Sequence, residues 1–186
     1  MQKLINGIYA KFHQRGIVKA DDRDVFEYGL DLLLFTLATN VTLLILGAVT
    51  GFFWHSLILM IAFAALQSTC GGYHAQTHMK CFITTAAGWG VGRLLITFLP
   101  DVLVLLMPLY GAIVIWTVAP LEHENAPMSV TKKARMRILG RTLMVCIVLC
   151  GAVLYMVGNV YARPCFAAIF LSGVSLTAGK FLNRHS

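Results

Sequence analysis

An all-α, polytopic membrane protein of about six transmembrane helices is the fold class this sequence predicts, and three observations predict it. Hydrophobic residues fill 58% of the 186 positions and charged residues 12%, with a mean hydropathy of +0.75, a balance foreign to a water-soluble domain. The apolar residues fall into six runs, most of them close to the roughly 20 residues a helix needs to cross about 30 Å of hydrocarbon. The Lys and Arg residues gather near the ends of those runs rather than along one polar face. The formal charge of +7 therefore reads as cytoplasmic loops and contact with membrane lipids, and nucleic acid is not an expected partner.

The elements follow in order. Residues 1–24 form an interfacial N-terminal segment: Leu4, Ile5, Ile8, Tyr9 and Phe12 share one stripe of an amphipathic helix over 1–19, with Lys3, Lys11 and Arg15 off it or at its edges and Gly16 ending it. The remainder, 25–186, is the transmembrane bundle, the whole chain being one membrane domain. Asp21, Asp22, Arg23 and Asp24 make a solvated turn or helix start, and Phe26 to Phe53 is the first span. Asp31 sits near its mouth, one turn after Glu27, so the two carboxylates face the same way. Span two, about Trp54 to Leu66, is short for a crossing, which predicts that the polar residues after it continue the helix inside the protein. Span three, about Phe82 to Leu99, carries Arg93 mid-helix, where an arginine must pair inward, snorkel or touch a substrate.

Pro100-Asp101 marks a turn and Val102 to Val118 returns as span four. The substantial polar loop, 119–141, places Glu122 and Glu124 before Lys132, Lys133, Arg135, Arg137 and Arg141. Span five is Thr142 to Val160, and span six is a short Cys165 to Ala178. With the N-terminus inside, one face collects five Lys/Arg from the N-terminal segment, Lys80, five from the 119–141 loop and two at the C-terminus, against Arg163 alone outside. Both termini are thus expected in the cytoplasm. No cleavable signal peptide is expected, because the first two dozen residues are polar. The five cysteines are odd in number and Cys146, Cys150 and Cys165 fall in spans, so no disulfide framework is expected.

The chain is organised around residues 67–81, Gln-Ser-Thr-Cys-Gly-Gly-Tyr-His-Ala-Gln-Thr-His-Met-Lys-Cys, a polar island between two apolar runs. Polar groups at membrane depth are expensive, so an island this dense marks a functional site. His74 and Cys81 are seven residues apart, close to two turns if the helix is continuous, which would put base and thiol on one face. A neighbouring imidazole that takes the thiol proton is the Cys-His form of nucleophilic activation. Gly71-Gly72 predicts a sharp turn whose amides, together with Gln67, are candidate oxyanion donors. Asp31 is a candidate for orienting His74. Two other readings of the same residues stay open: plain packing, and a structural metal site from His74, His78 and Cys81 at i, i+4 and i+7. A zinc protease is not expected, since His74-Ala75-Gln76-Thr77-His78 lacks the glutamate of a zincin helix.

Gly-Gly-Tyr-His-Ala with a cysteine seven residues after the histidine resembles the AgrB family of membrane peptidases. A second block, Ala119-Pro120-Leu121-Glu122-His123-Glu124-Asn125-Ala126-Pro127-Met128, is similar to that family's Ala-Pro…Asn-x-Pro segment, and a basic run follows it. The resemblance covers nearly the whole chain. It implies a multi-pass protein in the cell membrane of a Gram-positive bacterium, active site toward the cytoplasm, that processes a quorum-sensing signal. The substrate would be a short AgrD-like propeptide, cut by a thiol protease mechanism before its acidic C-terminal tail. His74 and Cys81 would be catalytic, and a thiol of the peptide would resolve the Cys81 thioester as a cyclic thiolactone. Neither cofactor nor metal is implied; a homodimer is a candidate assembly. Arg93, Lys132, Lys133, Arg135 and Arg137 become candidates for holding the acidic tail.

The sequence departs from the family where arginines often stand three and four residues before the Gly-Gly pair: here they are Ser68 and Gln67, and position 70, often small and unreactive, is Cys70. Three rival functions are a small transporter whose polar path is lined by His74 and Arg93, a non-catalytic peptide-binding subunit, and a Cys-His peptidase that releases a linear peptide. Inverted repeats, the mark of many transporters, are not evident.

Overall fold

The structure is a computed structural model that describes residues 2–14, 23–72, 77–121 and 128–182. Among them are seven α-helices and no strand: α1 (Gln2–Gln14), α2 (Arg23–Val49), α3 (Phe53–Cys70), α4 (His78–Phe98), α5 (Asp101–Val118), α6 (Val130–Met156) and α7 (Ala162–Leu182). The six from α2 onward are long and apolar enough to cross a membrane, so the protein is a multi-pass membrane protein. Expectations placed on Gly16, Asp21, Asp22, His74, residues 122–127 and Arg184 lie outside the described residues.

Two units are distinguished, residues 1–42 and 43–186. In the first, aromatic rings join α1 to the start of α2: Tyr9 and Phe12 lie 6.0 and 5.6 Å from Phe26 between centroids. The guanidinium of Arg23 stands 5.0 Å from the Tyr9 ring centre and pairs with Glu27 at 2.7 Å. Glu27 thus serves the first turn of α2. Asp31 follows one turn later on the same helix.

The second unit is a bundle built around α7. This helix packs against α3, α4, α5 and α6, and Ala162, Cys165, Phe166, Ala167, Ala168, Ile169, Ser172 and Leu176 are buried along it. Lipid tails are as apolar as leucine, so helices in a membrane are drawn together by close van der Waals fit and need small residues to approach. The tightest crossing is of α5 with α7. A Cβ on Gly111 would collide with the backbone carbonyl of Ile169, and one on Gly173 would stand 2.8 Å from the Gly111 Cα. Large apolar side chains instead point outward, among them Leu94, Phe98, Leu105, Ile113, Leu149 and Val153, as a lipid solvent permits.

Three spans differ from their sequence reading. The second does continue into the polar island, since α3 ends only at Cys70. The fifth starts at Val130, twelve residues before the expected Thr142, because the basic run has helix-forming residues and Ser129 caps it, accepting from the Lys132 amide at 3.4 Å. The sixth runs 21 residues rather than the expected fourteen, and takes in Arg163 near its start. That arginine donates to the carbonyls of Ile96 and Leu99 at 2.9 and 3.1 Å and to Asp101 Oδ1 at 2.7 Å. It thereby closes the α4–α5 turn and satisfies carbonyls that every helix C-terminus leaves without partners.

Candidate functional site

The polar end of α3 is stabilised from within. Ser68 Oγ donates to the Ala65 carbonyl at 2.8 Å, and Thr69 Oγ1 lies 3.2 and 3.1 Å from the carbonyls of Ala65 and Leu66. Hydroxyls bonded back into their own helix carry little desolvation cost, which is how Gln67 to Cys70 remain helical. Cys70 is buried. Gly71 then ends the helix at φ +72°, its N–H bonded to the Gln67 carbonyl at 3.0 Å. That conformation is unfavourable for any residue with a Cβ.

Two further contacts fix the turn. Leu121 N donates to the Cys70 carbonyl at 2.9 Å, and a Cβ on Gly71 would stand 2.8 Å from the Leu121 carbonyl oxygen. The opening of the second sequence block, Ala119-Pro120-Leu121, therefore lies across the end of α3. On the other side Gln67 Nε2 donates to Ser175 Oγ of α7 at 2.7 Å, and Gly72 rests on that pair so closely that a Cβ would meet both side chains. Gln67 Oε1 is buried without a hydrogen-bond partner among the described residues. Ser175 escaped the sequence reading; its only signal was a hydroxyl in the middle of an apolar run.

Cys81 lies in the first turn of α4. Thr77, extended at φ −135° and ψ 151°, caps that helix: its Oγ1 accepts from Lys80 N at 3.3 Å and its carbonyl from Cys81 N at 3.0 Å. The helix that carries Cys81 begins only at His78, after an extended Thr77. His74 lies outside the described residues, so the seven-residue spacing does not fix the distance between the two. Among the described residues no three His, Cys, Asp or Glu side chains are grouped to hold a metal ion. Trp89 Nε1 donates to Ser56 Oγ at 3.0 Å, and Gly92 faces Leu59. Phe52, a turn before Ser56, lies by Arg93, a turn after Trp89, so α3 and α4 run antiparallel and Cys81 is level with the last turns of α3. Cys81 is half-buried.

The basic run occupies the same end. Gly140 of α6 meets Cys70, a Cβ there standing 2.8 Å from its Sγ. Leu66 and Cys70 share one cluster with Met144, while Leu59 and Ala62 share the other with Leu154, so α6 runs antiparallel to α3. The ten residues of α6 before Gly140 thus extend about 15 Å past the end of α3, carrying Lys132, Lys133, Arg135 and Arg137. Arg93 is placed elsewhere. It stands near the opposite end of the bundle, about 18 Å along α4 from Cys81, donates to Thr50 Oγ1 at 2.8 Å, and lies 5.2 Å from the Phe52 ring centre. Asp31 belongs to the first unit. The structure therefore brings together Gln67, Gly71 and Gly72 with Leu121 and Ser175, sets Cys81 and the basic overhang at the same end, and leaves Arg93 apart.

Six spanning helices with a cysteine and a glycine turn gathered at one end define a polytopic helical membrane protein with a polar site near one membrane boundary. The chain belongs to the Accessory gene regulator B family, whose family model matches residues 2–178. It is also similar to Putative AgrB-like protein 1 of Clostridium perfringens (strain 13 / Type A), 25% identical over 113 residues. That match spans 58% of this chain and 60% of the relative's length. No solved structure matches the chain.

Proposed function

We propose that the chain is a membrane cysteine endopeptidase that removes the C-terminal tail of a short AgrD-like propeptide and promotes cyclisation of what remains, on the cytoplasmic side of a Gram-positive cell membrane. Membership of the Accessory gene regulator B family supports the processing role. The observation that carries the site is the contact of the two sequence blocks, Cys70-Gly71 against Leu121, at the end of the bundle where Cys81 opens α4.

In this reading His74 takes the Sγ proton of Cys81, and the thiolate attacks the scissile carbonyl. The first turn of a helix is a favourable place for that negative charge. The tetrahedral adduct collapses with loss of the C–N bond; His74 returns the proton to the departing amine, leaving an acyl thioester on Cys81. A thiol within the bound peptide then attacks the same carbonyl carbon, its proton passing to the Cys81 sulfur as that group leaves, and a thiolactone departs. A site between helices that limits water lets cyclisation outrun hydrolysis, and holding the thiol beside the acyl carbon supplies effective concentration. Lys132, Lys133, Arg135 and Arg137 hold the acidic tail on the α6 overhang.

The test is co-expression in membranes with a short propeptide encoded beside the gene, read by mass spectrometry of the fragments. Wild type is expected to release the tail and give an N-terminal product one water lighter than the linear acid, with Cys81→Ala and His74→Ala giving neither. Tail release with only the linear acid would establish a hydrolytic peptidase. Cleavage by both variants, or by none of the three, would overturn the enzyme reading in favour of a transporter or peptide-binding subunit.

A further inference from the structure

A second feature at the same end of the bundle lies outside the peptidase reading and does not depend on it. Ala112, Ile113, Trp116 and Thr117 of α5 and Met144 of α6 line an open, wholly apolar groove of about 340 Å³. At its shallow end stands Arg141, one turn before Met144. Its Nη2 donates to the Trp116 carbonyl at 2.7 Å and its guanidinium carbon lies 4.3 Å from the Trp116 ring centre. Among the described residues these are its contacts, and its Nε is buried without an acceptor. A guanidinium offers five N–H donors in a planar fork suited to phosphate.

The height of this arrangement matters. α5 has 18 residues, a length of about 27 Å that nearly matches the hydrocarbon thickness, and Trp116 lies about 3 Å from its end. Arg141, bonded to the Trp116 carbonyl, is thus at the boundary where acyl chains give way to headgroups. From that boundary the groove runs inward past Ile113 and Ala112, away from the cation. A charged end at headgroup level and an apolar trough leading toward the bilayer centre repeat the layout of an anionic phospholipid.

We infer that the α5–α6 groove is a binding site for one anionic phospholipid, its phosphate on Arg141 and an acyl chain along Ala112, Ile113, Trp116 and Met144. The lipid phosphate adds an acceptor to a guanidinium that has one carbonyl acceptor among the described residues, and the acyl chain covers the apolar trough beside it. A site of this kind differs from the attraction of anionic lipid to the basic overhang of α6, which is diffuse and weakens with salt.

Trp116 is a built-in reporter. In protein carrying Trp54→Phe and Trp89→Phe, reconstituted in phosphatidylcholine vesicles, Trp116 fluorescence is measured as dibrominated phosphatidylglycerol or dibrominated phosphatidylcholine is introduced. The expected result is a preference of about fivefold for the brominated anionic lipid, lost in Arg141→Gln and in Ala112→Phe, which fills the trough. Replacing Lys132, Arg135 and Arg137 together by Gln should leave it in place. Should Arg141→Gln fail to retain its helix content, Ala112→Phe and Arg141→Lys decide, the first losing the preference and the second keeping part of it. Equal quenching by both lipids, or a preference lost with the overhang charges but kept in Ala112→Phe, would overturn the site. Absence of quenching by either lipid would also overturn it.

Discussion

At the scale of single residues, the end of α3 is held to α7 by the Gln67–Ser175 hydrogen bond, and Gly72 packs against it. Gln67 donates to Ser175 and Gly72 sits on the pair, so the direction in which the chain leaves α3 depends on a helix 108 positions away in sequence. Gly72→Ala would push this pair apart, and peptide release in membranes is expected to fall at least about tenfold, equivalent to some 1.4 kcal/mol on the barrier. Ser175→Ala leaves the Gln67 amide buried without its acceptor; a loss of about 1 kcal/mol in thermal stability in micelles is expected, with Ser175→Thr restoring most of it. If Ser175→Ala changed neither stability nor peptide release, the pair would have no positioning role. Gln67 itself was read from sequence as an oxyanion donor; its Nε2 here has Ser175 as acceptor.

At the scale of helices, α7 carries the bundle although its sequence marks it as a short final span. Its small residues let α5 come so close at Gly111 and Gly173 that no side chain fits between. Gly111→Leu is therefore expected to cost about 3 kcal/mol or more, by overpacking against backbone that has no rotamer with which to yield. The checking measurement is thermal unfolding in micelles beside Gly88→Leu as control, since a Cβ at Gly88 meets nothing within 4 Å. Equal melting of the two variants would contradict the close crossing. Helix boundaries were legible to within a few residues wherever apolar runs met Gly, Pro or Ser. They were least legible at α6, where a basic run that resembles a loop is helical because Ser129 caps it and Lys and Arg favour the helix.

At the scale of the molecule, the distribution of charge sets the orientation expected in the membrane. Arg163, the lone cation counted on the outer side, is held within the protein by the α4–α5 turn and Asp101. A fluorescent protein fused after residue 186 should be bright in cells, and an alkaline phosphatase fused there inactive; the opposite pattern would refute the orientation and move Cys81 to the outer face.

The sequence by itself determined the class of fold, the six spans and the polar island, because hydropathy and charge at helix ends are local properties fixed by the cost of placing polar groups in hydrocarbon. It also singled out Gly71, because a turn that ends a helix with positive φ calls for a residue without a Cβ. Tertiary structure decided the rest: that Leu121 crosses the end of α3, that Ser175 supports Gly72, that Arg93 stands near the far end of the bundle from Cys81, and that Arg141 lies over Trp116 beside an apolar groove. Apart from the place of Arg93, which the rise of α4 sets once its ends are known, each of these is a contact between segments well apart in sequence. Its energy comes from shape and distance in three dimensions, to which periodicity along the chain carries no clue.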